Sequence, residues 1–68
     1  MVKLLDVVAL IDDLPENNLS RGQVGTVVEV LAPGVFLVEF SDNKGRTYAM
    51  LPVRAEQLMV LHYEAMAE

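Results

Sequence analysis

The chain carries one stretch that leaves little freedom of fold. It reads Gly22-Gln23-Val24-Gly25-Thr26-Val27-Val28-Glu29-Val30-Leu31, then Ala32-Pro33-Gly34, then Val35-Phe36-Leu37-Val38-Glu39-Phe40. Valine, threonine and phenylalanine pack well on a pleated surface. Proline followed by glycine between two such runs marks a turn, because proline presets φ and glycine supplies a positive φ. Glu29 and Glu39 each interrupt an apolar run, as a sheet with one face in water requires. The stretch therefore predicts two strands and a tight turn, with Phe36, Val38 and Phe40 facing the core. By the same alternation Val28 and Val30 are expected inside, and Val27, Leu31 and Leu37 outside.

The rest of the chain adds strands to this pair. Leu4 to Ile11 is apolar nearly throughout and predicts a first strand, buried on both faces. Asp12 to Arg21 is rich in Asp, Asn, Ser and Pro and predicts a loop, with Leu14 and Leu19 tucked back as anchors. Gly22 and Gly25 flank the entry to the second strand, where the backbone needs a positive φ or a bend. They are no phosphate cradle, since no Walker lysine follows and they lead into a strand. Ser41-Asp42-Asn43-Lys44-Gly45 predicts a hairpin loop, and Arg46 to Leu51 a fourth strand.

Pro52 lacks an N–H and suits the first position of a helical turn, and two continuations are open after it. Ala, Glu and Gln favour a single helix from about Val53 to Ala67. Alternatively one 3₁₀ turn leads to a fifth strand at Leu58 to His62. Four curled strands leave edges that a fifth would cover, which favours the strand. The expected fold is therefore all-β: a small five-stranded SH3-like barrel with a short 3₁₀ turn before the last strand. Residues 1–62 make one domain and residues 63–68 a C-terminal tail.

Composition narrows the chemistry. The 68 residues give room for one domain, and 53% of them are hydrophobic. So short a chain buries only about 60% of its unfolded surface, so part of this apolar content is expected to face a partner. There are no cysteines, which excludes disulfides, thiolate metal sites and cysteine nucleophiles. The N-terminus lacks the apolar run of a secretory signal, and no stretch reaches membrane-span length, so the expected setting is the cytoplasm.

No catalytic constellation emerges. The one histidine, His62, is expected in solvent at the end of the last strand, and the two serines, Ser20 and Ser41, lie in loops. Asp12 and Asp13 are adjacent and point apart on extended chain. The spacing of Asp12, Asp13, Glu16 and Asn17 fits no calcium loop. The chain is therefore expected to be non-enzymatic, with no cofactor and no metal.

Two binding surfaces can be read. Val27, Leu31 and Leu37, with Leu61 and Tyr63, are more apolar groups than one small core absorbs, and they predict contact with an unidentified protein or a second copy of the chain. The alternative is nucleic acid, through Lys44, Arg46 and Arg54 with Tyr48 as a stacking aromatic. Ten acids against five bases, a net charge of −5, disfavour it.

Two resemblances accompany this reading. Gly22-x-x-Gly25-Thr26-Val27-Val28, followed by Val38-Glu39-Phe40 and a short closing strand, resembles SH3-like barrels of the KOW and translation-protein type, which implies a barrel and, for some members, RNA binding. More closely, the chain resembles a family of very short bacterial proteins, common in cyanobacteria, defined as a domain of unknown function. Leu5-Asp6-Val7-Val8-Ala9-Leu10, Asp13-Leu14-Pro15, Gly22 to Val30, Val38-Glu39-Phe40 and the Leu58 region carry that likeness. It implies a fold and no particular chemistry.

Overall fold

The computed structural model describes residues 1–62. Five strands run β1 (Val7–Leu10), β2 (Val24–Ala32), β3 (Val35–Ser41), β4 (Thr47–Arg54) and β5 (Leu58–Val60). They form one antiparallel sheet in the order β4-β3-β2-β1-β5. Two 3₁₀ turns punctuate it, Pro15–Asn17 in the first loop and Ala55–Gln57 between β4 and β5. The second turn carries the chain from one edge strand of the sheet to the other in three residues.

The turns form where the residues allow them. Gly34 turns β2 into β3 and Gly45 turns β3 into β4, both at positive φ. At the second hairpin Asp42 accepts the backbone N–H groups of Lys44 and Arg46 with one carboxylate oxygen, the local bonding that suits Asx residues to turns. The Leu14 and Leu19 anchors are as expected. They pair with each other, Leu19 is buried and Leu14 packs against the core.

The core comprises Val8, Leu10, Leu19, Val27, Phe36, Val38, Phe40, Val53 and Leu58. Phe36, Val38 and Phe40 lie inside as their alternation predicts. β1 is buried on both faces without a second layer. Val8 and Leu10 face the core, while Ala9 is small and lies between its register partners Val24 and Met59.

Three expectations are corrected. Val27 is 0% exposed and belongs to the core, whereas Val30, expected inside, is 51% exposed. The cause is a bulge. Val27 pairs with Val38 and Glu29 with Leu37, so Val28 is an extra residue. An extra residue reverses the alternation, and Val27 and Val30 end on the same face, each opposite a core residue of β3. Val30 lies where that face opens to solvent. Pro52 starts no helical turn. It continues β4 opposite Leu37, on an edge strand where a missing N–H is tolerated. β1 is shorter than expected, because Lys3 to Asp6 makes a turn with Leu5 at φ 70 and an Asp6 N–H bond to the Lys3 carbonyl.

Candidate functional site: an open apolar cleft

The N-terminal arm is held by three contacts. Leu5 N–H donates to the Val27 carbonyl at 2.8 Å, and Asp6 accepts both the backbone N–H and the Nζ of Lys3, each at 2.9 Å. These bonds hold the Asp6 carboxyl below its ordinary range, the Lys3 side chain contributing most and the Lys3 backbone N–H next. Val2 is thereby laid against the core.

The arm forms one wall of a cleft of about 850 Å³. Val30, Pro33 and Gly34 at the β2–β3 hairpin form a second wall, and Ala55, Leu58 and Val60 a third. Phe36, itself buried, contributes to the lining from within the core. Among the described residues the one charged side chain in the lining is that of Lys3, whose ammonium is paired with Asp6. The hollow therefore offers aliphatic and aromatic surface, a place for apolar side chains. Leu4 of the lining is half-exposed, and Leu5, the next residue of the arm, is largely exposed.

The residues predicted to form a protein interface are not gathered in one place. Val27 is in the core. Leu31 is exposed and follows Val30, a lining residue, on β2. Leu37 is half-buried on β3 between Glu29 and Pro52. Leu61 donates its N–H to Val7, three strand positions from Leu37 in the sheet. Tyr63 lies outside the described residues. The cleft was missed from the sequence because Val30 was assigned to the core and Leu4 to a strand. The signal that could have found it is the run Met1-Val2-Lys3-Leu4-Leu5, apolar but for one lysine.

The predicted nucleic-acid set is also divided. Arg46 is paired with Asp42 at 3.1 Å and Arg54 with Glu56 at 3.2 Å. Arg46 immediately precedes β4 and Arg54 ends it, eight positions on, roughly 27 Å at strand spacing. Lys44 shares the Asp42 hairpin with Arg46. Tyr48 accepts a hydrogen bond from Gln23 Nε2 at 3.0 Å, and its ring lies 6.5 Å from that of Phe40. Among the described residues no group of three His, Cys, Asp or Glu could hold a metal ion. His62 is exposed after β5, and Ser20 and Ser41 lie away from it. No helix among the described residues is long and apolar enough to cross a membrane.

Fold and cleft together define a class: a very small single-sheet all-β domain whose core opens to solvent at one end. The family model described as Domain of unknown function (DUF4926) matches residues 4–60, and the chain belongs to that family. The match takes in all five strands and most of the residues lining the cleft. No curated protein and no solved structure matches the chain.

Proposed function

We propose that this protein is a small binding or accessory module that acts through protein–protein contact, receiving apolar side chains of a partner in the cleft. The observation that carries the reading is the cleft itself, apolar but for Lys3 and uncovered at Val30. Burying one large apolar side chain there would contribute roughly 1.5–3 kcal/mol, so contacts around the rim must add to the cleft to outweigh an association cost of about 4–15 kcal/mol. The lining holds no carboxylate, histidine or hydroxyl, which fits binding without catalysis. The reading carries with it the cytoplasmic setting expected from the sequence. It also carries the SH3-like barrel, supported by the three-residue passage between the two edge strands, since edges so joined must lie near one another.

The test is a tagged pull-down from cells that express the protein, with Val30→Glu as the second bait and nuclease treatment of half of each sample. A stoichiometric protein held by the wild type, resistant to nuclease and lost with Val30→Glu, is the expected result. Proteins retained equally by both baits would place binding elsewhere, and recovery that depends on nucleic acid would displace the reading.

A further inference from the structure

We infer that the partner suited to this cleft is a second copy of the same chain, the two copies meeting about a two-fold axis. The inference rests on the cleft reading above and names its occupant. A two-fold contact needs one surface that is complementary to itself. Here the knob and the hollow adjoin: Leu4, at the wall of the cleft, and Leu5, the next residue of the arm, are 53% and 71% exposed. Leu4 of each copy can enter the cleft of the other, against Val30 and Leu58.

Charge favours the same face. Each copy carries −5, so two copies repel one another over most orientations. The cleft lining holds none of the eight acids among the described residues, and its one lysine is paired with Asp6. Two copies can therefore approach there with little repulsion. The extent is sufficient. An interface of ordinary size takes about 800 Å² from each partner, roughly one sixth of this chain's 4942 Å². The cleft with Leu5 and Leu31 makes up about one fifth of the described residues.

Sedimentation equilibrium from about 5 to 500 µM tests the inference, that range bracketing a micromolar dimer. The expected result is a rise in mass from 7.5 kDa toward twice that value. Leu4→Glu and Val30→Glu are expected to weaken association about tenfold or more, while Met50→Glu, exposed on β4 away from the cleft, leaves it unchanged. Far-ultraviolet circular dichroism establishes that each variant is folded. A wild type that stays at 7.5 kDa throughout overturns the inference, as does a dimer insensitive to both cleft variants. Anilinonaphthalene sulfonate separates this failure from failure of the cleft reading. A monomer that binds the dye, with binding lost in Val30→Glu, keeps an apolar cleft without self-association. A monomer that binds none loses both.

Discussion

Gly25 lies hard against Val38: a Cβ at position 25 would stand 2.7 Å from Val38 Cγ1 and 2.8 Å from the Glu39 carbonyl oxygen. The glycine is required by space, because β2 and β3 pack the core closely at this point. Gly25→Ala is expected to destabilise the protein by about 1–3 kcal/mol through overpacking. Gly22 differs: nothing lies within 4 Å of its Cβ position, and its constraint is a φ of +92. Gly22→Ala is expected to cost about 1–2 kcal/mol from backbone strain alone. Urea unfolding of both variants checks the values. Replacing Val38 by alanine in the Gly25→Ala background should relieve part of the first cost and none of the second.

Val27 and Val30, three positions apart on one strand, should respond very differently to truncation. Val27→Ala opens space in the core and is expected to cost about 2 kcal/mol. Val30→Ala removes a half-exposed side chain and should stay within about 0.5 kcal/mol. In a domain of this size the first corresponds to a fall in Tm of roughly 8–16 °C. Thermal melts of the two variants test the placement of Val27 in the core and Val30 at its open end, since the placement expected from the sequence would reverse their order.

Two carboxylates should make stability depend on acid pH. Lys3 holds the Asp6 carboxyl low, and the backbone N–H groups of Arg46 and Lys44 do the same for Asp42. A carboxyl depressed in the folded state contributes stability that is full above its unfolded value, about 3.9, and is lost as pH falls through the lower folded value. Unfolding midpoints should therefore drop below about pH 4, and the drop should be shallower in Asp6→Asn and Asp42→Asn. Melts from pH 2 to 6 measure it, and a slope unchanged in both variants would count against these contacts.

Tyr48 joins the start of β4 to Gln23, the residue before β2, and its ring lies beside Phe40. Tyr48→Phe should lose only an exposed hydrogen bond, less than about 1 kcal/mol. Tyr48→Ala should lose the aromatic pair as well, roughly a further 0.5–1.5 kcal/mol. If Tyr48 instead served as a free stacking platform, both substitutions would leave the urea midpoint where it was.

The strands and turns were legible because their signals are local. Pro33-Gly34 and the Asp42 to Gly45 run fix two hairpins, and the alternation of Phe36, Val38 and Phe40 fixes the inner face of β3. The inner face of β2 was not. Its run has a single polar marker beyond Thr26, Glu29, and Glu29 does face outward opposite Leu37. One marker cannot reveal an extra residue beside it, so the parity was carried through the bulge and Val27 misplaced. The cleft followed the same error, since it depends on Val30 and on an arm whose turn at Leu5 uses a conformation unusual for leucine. Pro52 was misread because proline suits both a helix start and a strand edge, and only the sheet order tells which.

The three-residue passage from β4 to β5 has a kinetic side. β2, β3 and β4 are joined by short turns, so their pairing closes small loops. β1 and β5 join Val8 to Val60, almost the full described length, and must wait for the meander. β5 has only three residues and pairs with β1. A three-residue strand held by one neighbour at the edge of a sheet is a place where local unfolding can begin. Leu58 and Val60 of that strand are a wall of the cleft. The opening can thus widen by releasing β5 while the meander stays intact, so that its width follows local unfolding at the sheet edge.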